Sequence, residues 1–471
     1  MDEIEEEVIF VFLFYISAFA LLALFVGSGV VIGSRGGGKK DYSLGGRKAG
    51  AAGVTGILLG ALVGGASTVG TVQMAYSYGM TAWWFTLGGG IGCLLLGLRF
   101  AVPLRSSEVT TIADYLERSY GGSGCGTAIA FTATVSSSIG TFISICAQFL
   151  SCIALIRGVL PLPAWAASIA AAVSIWGFIA AGGMKSFSTL GTAKIFLLYI
   201  VLVLCAGAAC WHGGFVPTAK ALGFHPWFNL FGRGILPEFG YLASMIVGVF
   251  TTQIYIQALA AAKDAAAARA GAFASAVLMP PMGLLGTWVG LSVRASGVEI
   301  APDKVLSWFI MDSFPPLFGG LIWGGVLITV VGCAAGLILG IATNITKNFI
   351  PKKLTEKYAS KNSMIQQGLV ILMIIVAALS GIGGSGSMIL EWSFMSMGLR
   401  GAGTFFPFVL AVLRPGLLSP PWALASSVGG LAAMLLWAVM GLPQDPLFAG
   451  LAASALCVTA GAILGKRRLS L

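Results

Sequence analysis

The feature that most constrains this chain is a series of apolar, nearly charge-free runs of about 20 residues or more, enough to cross the hydrocarbon core of a bilayer as helices. Thirteen are expected, at about 7–33, 50–77, 81–101, 124–155, 163–182, 189–211, 237–262, 269–294, 314–345, 364–385, 386–412, 419–441 and 446–465. Hydrophobic residues make up 57% of the sequence and charged residues 9%, against about 25% charged in an average soluble domain. No soluble core could hide so much apolar surface. In hydrocarbon only helices or closed barrels satisfy their own backbone hydrogen bonds. Runs such as Ile195 to Ala209 are continuous rather than alternating, which selects helices. The 66 Gly residues suit helices that approach closely in lipid. An all-α polytopic membrane protein is expected.

The net charge of +10 is an orientation signal. With the acidic N-terminus placed outside, the inner loops collect twenty Lys and Arg residues and the outer loops five, leaving Lys194 and Arg400 within spans. That asymmetry predicts an outside N-terminus and an inside C-terminus in the plasma (inner) membrane. It leaves no need for a nucleic-acid partner. The first run follows Met1-Asp-Glu-Ile-Glu-Glu-Glu, the reverse of the basic start of a cleavable signal, so it is expected to be retained. The eight Cys lie almost wholly inside apolar runs and read as small packing residues. No nucleophile motif, Walker loop or metal signature appears, so neither an enzyme nor an ATP-driven pump is expected, and no cofactor is implied.

Two spans have poor helix centres. The second reads Gly60-Ala-Leu-Val-Gly-Gly-Ala-Ser-Thr-Val-Gly70 and the seventh Gly248-Val-Phe-Thr-Thr-Gln253. Each is either a close crossing built on small residues or a broken helix lining a cavity. Lying five spans apart, they suggest two inverted repeats, 50–212 and 237–412, with a preceding helix and loop in 1–49 and two helices in 419–471. A channel or membrane receptor is the alternative, but no repeated pore element is visible.

Several stretches together resemble the sodium/solute symporter family. Asp41-Tyr-Ser-Leu-Gly-Gly-Arg47 is similar to the segment that leads into that family's first core helix. Gly65-Ala-Ser-Thr-Val-Gly70 followed by Ala75-Tyr-Ser-Tyr-Gly79, then Thr111-Ile-Ala-Asp-Tyr-Leu-Glu-Arg118 and Gln253-Ile-Tyr-Ile-Gln-Ala-Leu-Ala-Ala-Ala-Lys-Asp264, resemble further family patterns. The resemblance implies a LeuT-type core of five plus five helices, with one helix before it and two after. It also implies secondary active uptake of a small solute, with sodium as the coupling ion. Sodium would lie between the broken second span and the ninth span, held by carbonyls near Gly60 and Val63 and by two hydroxyls of the ninth.

The sequence departs from that pattern. Where the hydroxyls belong stand Gly332 and Cys333, with Thr329 one turn earlier; where the family has a carboxylate stands Gly191, and Lys194 follows it. A hard cation prefers oxygen ligands, so a sodium site at Gly60, Val63 and Thr329 is depleted. Lys194 lies about 8 Å inside its span. It either snorkels to the surface or places its ammonium where sodium would bind. If protons rather than sodium drive transport, Lys194 is the deep side chain able to carry one, since Arg400 cannot release its own.

For the substrate, the broken segments supply Gly64, Gly65, Ala66, Ser67 and Thr68, together with Thr252 and Gln253. Ser137, Thr141 and Ser144 share one helix face and form either a polar cavity wall or a packing surface. Arg400, among glycines, either holds an anionic group or pairs with Glu391. Trp83 and Trp84 read as interface anchors. The expected partners are a small anionic or zwitterionic solute and the bilayer, with no obligatory protein partner.

Overall fold

The computed structural model describes residues 3–34, 47–109, 111–121, 124–348, 359–442 and 444–468. The Asp41–Gly46 part of the symporter-like motif lies outside them. The described chain is helical throughout. In order, the helices are α1 Glu3–Ser34, α2 Ala51–Leu62, α3 Thr71–Tyr78, α4 Trp84–Leu95, α5 Ala101–Ser106, α6 Ile112–Tyr120 and α7 Cys125–Val159. There follow α8 Ala164–His212, α9 Phe215–Leu222, α10 Ile235–Thr251, α11 Gln253–Ala260, α12 Ala265–Ala295, α13 Val305–Ser313 and α14 Pro316–Asn348. The last are α15 Ala359–Gly383, α16 Ile389–Ala402, α17 Phe405–Leu413, α18 Pro420–Val439 and α19 Pro446–Arg468.

Among the described residues, eight stretches are long and apolar enough to cross a membrane, or ten when each bent pair counts once. The thirteen expected spans are not recovered as such, because breaks shorten some of them: α2 stops after 12 residues. The spans expected at 163–182 and 189–211 fall in one 49-residue helix, α8. No proline occurs between Ala164 and His212, so nothing covalent interrupts its ladder.

Local chemistry sets the other boundaries. Thr111 caps α6 by accepting from the Asp114 N–H at 2.9 Å, and Asp264 caps α12 by accepting from the Ala267 N–H at 2.7 Å. The start of α2 is tied to the end of α11: Ala49 and Ala262 form an isolated parallel bridge, and Arg105 Nε donates to Ala262 O at 2.6 Å. The two contacts tie the start of α2, and α5, to the end of α11 at one end of the molecule. Rings of α10 pack on their neighbours, with buried Phe100 on Phe250 at 4.6 Å and half-buried Tyr241 stacked on Phe394 at 4.1 Å. Large apolar side chains such as Phe12, Phe19, Leu24, Val173 and Phe196 face outward, as a lipid-facing surface requires.

Candidate functional site

Both weak helix centres are interrupted. After Leu62 the chain leaves the helix at Val63 (φ −71°, ψ 107°) and resumes as a π-helical turn over Ala66–Gly70. A break exposes backbone groups that need partners, and here side chains supply them. The Gly64 N–H donates to Ser67 Oγ at 3.1 Å and the Gly65 N–H to Gln148 Oε1 at 2.7 Å. Thr68 Oγ1 donates to Gly64 O at 2.9 Å. Lys194, only 2% exposed, donates from Nζ to Val63 O at 3.2 Å.

The second break is at Thr252 (φ −81°, ψ 117°), where α10 and α11 meet at 48°. Opposite it lies Arg400, 4% exposed. Its Nη1 donates to Thr252 Oγ1 at 3.0 Å and its Nη2 to Ser144 Oγ at 2.6 Å, while Nε has no hydrogen-bond partner among the described residues. Gly140 makes room for it, since a Cβ there would lie 2.5 Å from Arg400 Cγ. No carboxylate neutralises this guanidinium: the one ion pair among the described residues joins Arg233 to Glu391 at 3.5 Å. The expected alternative of an Arg400–Glu391 pair is therefore overturned. Glu391 starts α16 and Arg400 lies more than two turns further along the same helix.

A cavity of about 410 Å³ joins these elements. Gly60, Ala66, Ser137, Thr141, Thr252, Gln253, Cys333 and Arg400 line it, as do Ser144, Gln148, Ser393 and Tyr255. It continues past Thr111, Asp114, Thr343 and Asn344, towards the end where Arg105 meets Ala262. At the opposite end Gln73 staples α3 to the start of α16, donating to Ser387 O at 3.0 Å and accepting from the Ile389 N–H at 3.0 Å.

Of the other expected residues, Gly64, Gly65, Ser67, Thr68, Thr329 and Gly332 do not line this cavity. Ser67 and Thr68 are fully buried and turn their hydroxyls onto the break. Thr329 donates to Val326 O of its own helix at 2.7 Å. Gly332 faces Phe178. Cys333 packs on the break, its Sγ 2.8 Å from where a Gly64 Cβ would stand. Gln253 accepts the Ile112 N–H at 3.0 Å, linking the second break to α6. Trp83 and Trp84, expected as interface anchors, donate to Pro280 O and Leu230 O, each at 2.8 Å; Trp84 is buried and Trp83 half-buried. Glu238, in the first turn of α10, is fully buried and accepts from Thr81 Oγ1 at 2.7 Å; no motif in the sequence marks it. Ser144 and Gln148 stood on the helix face already singled out. Asn344 and Ser393 had no such pattern to mark them.

The sodium:solute symporter family profile matches residues 42–415. The chain belongs to the sodium:solute symporter family. Among solved structures it is similar to a Na+-coupled sialic acid symporter in a substrate-bound, outward-open state, at 15% identity over 96% of both chains with a TM-score of 0.74. That likeness extends to the fold, the LeuT-type arrangement around interrupted helices. No curated relative matches the chain. As a member of this family the protein is a membrane-embedded secondary transporter.

The first break tolerates no added side chain. A Cβ on Gly65 would overlap the Ser151 side chain, and one on Gly64 would lie 2.8 Å from both Cys333 Sγ and Gln148 Oε1. Gly65→Ala is expected to lower uptake about tenfold, through the 1–3 kcal/mol that overpacking costs, while the protein still reaches the membrane. Uptake normalised to membrane abundance checks it, and wild-type uptake by the variant would place the working site elsewhere.

Proposed function

We propose that this symporter-family protein moves a small anionic or zwitterionic solute, a carboxylate, by alternating access around the cavity between the two breaks. The observation that carries this reading is Arg400: a buried guanidinium lining the cavity, held by two hydroxyls and facing no acid. A buried charge without a partner is costly, and a substrate carboxylate relieves that cost. The N-terminus of α11 at Thr252 adds partial positive charge on the same side. The first break adds little, because its amides already bond Gln148 and Ser67. The cavity volume falls in the range of small-molecule sites, roughly 300–1,000 Å³, and its hydroxyls and amides suit a polar solute. The solved relative is a sialic acid symporter, and sialic acid is itself a carboxylate.

The coupling ion follows from Lys194. Its ammonium meets the Val63 carbonyl, one of the oxygens that the family resemblance assigns to sodium, and the protein runs without sodium. The repeats are 50–212 and 237–412. The protein lies in the plasma membrane, N-terminus outside and C-terminus inside, following the positive loops. The cavity then opens inward, and the Gln73 staple closes the outside. A channel or receptor reading has no observation in its favour.

The test is uptake into proteoliposomes across a panel of small carboxylates, amino acids, neutral sugars and organic cations. Saturable, concentrative uptake of carboxylates or zwitterions is expected. Uptake confined to neutral sugars or cations rejects the reading.

A further inference from the structure

A second cavity, of about 310 Å³, lies at the far end of α12. Helix α12 starts at Ala265, beside the Arg105–Ala262 contact, and runs 31 residues, about 45 Å. The cavity at its C-terminal end is thus separate from the central one, and the two share no lining residue.

Three helices end at this cavity. Ala209, His212 and Gly213 close α8, Ser292 to Ser296 close α12, and Trp308 to Ser313 close α13. Helix C-termini present carbonyls without amide partners and carry partial negative charge. Helix α9 offers only a flank, through Pro217, Thr218 and Ala221. Among the described lining side chains Asp312 is the one carboxylate and His212 the one basic group; Arg294, close in sequence, instead covers the Tyr76 and Trp227 rings at 5.4 and 5.2 Å. Independently, two of the few buried polar atoms without a partner among the described residues belong to lining side chains, Ser292 Oγ and Ser313 Oγ. Trp308, Phe309 and Val293 supply an apolar wall.

We propose that this cavity is a second ligand site, separate from the transport site, for a small primary ammonium carrying an apolar tail. The ammonium has three N–H donors and no acceptor. It matches a site made of Asp312, two orphan hydroxyls and three negative helix ends, while the tail lies against Trp308 and Phe309, whose faces also attract cations. A divalent metal fits poorly, because hard cations gather several oxygen ligands and usually more than one carboxylate. An anion would face the Asp312 carboxylate and three helix C-termini.

The probe is butylammonium, titrated calorimetrically near pH 7, where an alkylamine stays protonated, into the full-length protein in nanodiscs. Wild type is expected to show saturable one-site binding. Asp312→Asn should weaken it about tenfold, and Trp308→Leu several-fold, as loss of a cation–π contact implies. Butan-1-ol, of similar shape but uncharged, should give no saturable heat. Asp312 is exposed, so its variant should fold. Three results overturn the proposal: no saturable binding of butylammonium, equal affinity in Asp312→Asn, or equal binding of the alcohol. None of them bears on the carboxylate reading of the central cavity.

Discussion

Arg400→Gln is expected to weaken binding of the transported carboxylate by about 10²–10³-fold. Removing one partner of a buried, hydrogen-bonded charge pair costs roughly 2–5 kcal/mol. Here the partner that remains is the substrate carboxylate, left in a cavity with no other cation in contact with Thr252 and Ser144. The amide of Gln can still bond one of those hydroxyls, so the walls keep part of their network. Membrane insertion should not suffer, because an arginine at a span centre itself costs about 2.5–3.5 kcal/mol to insert. Arg400→Lys sharpens the test: it keeps the charge but loses the planar fork that reaches Thr252 and Ser144 together, and a loss nearer tenfold is expected. Affinities are measured by radioligand binding to purified protein, using a carboxylate taken up by wild type. Unchanged affinity in Arg400→Gln would sink the anion reading, because among the described residues no other cation lines the cavity.

What the sequence disclosed and what it hid follow from the range of the forces involved. The helical membrane architecture was legible because hydrophobic runs are a local property, and the two breaks because glycine and hydroxyl residues weaken a helix where they stand. Lys194 could be flagged as a buried cation, but its acceptor, the Val63 carbonyl 131 residues earlier, belongs to tertiary packing. Arg400 left two readings open for the same reason. Its partners Thr252 and Ser144 are 148 and 256 residues away, whereas the nearer Glu391 binds Arg233 and Tyr241. The aromatic pair Trp83 and Trp84 shows the same limit, since their indole N–H groups donate to carbonyls 197 and 146 residues away in sequence.

The largest expected effect concerns the coupling ion. Wild-type uptake in proteoliposomes is expected to be unchanged when sodium is replaced by potassium, to follow an imposed pH gradient, and to be lost in Lys194→Ala. Val63 O, which the family resemblance assigns to sodium, accepts from Lys194 Nζ at 3.2 Å. Thr329, the nearest hydroxyl of α14, donates to its own helix, and Cys333 presents a thiol, a poor ligand for a hard cation. A sodium ion about 4 Å from the ammonium would be repelled by roughly 4 kcal/mol at an effective dielectric constant near 20, about a thousandfold in affinity. The ammonium satisfies the Val63 carbonyl of the broken helix. A lysine can release and regain a proton, which arginine cannot, so Lys194 can answer a proton gradient where Arg400 serves only as a fixed charge. Lys194→Ala leaves Val63 O without its ammonium and the pathway without its titratable cation, so both folding of the break and drive are weakened. Lys194→Met separates these, because it keeps the side-chain length and removes only the charge. Strict sodium dependence in wild type, preserved in Lys194→Ala and Lys194→Met, would show that the ammonium has no part in coupling and that sodium binds despite the depleted shell.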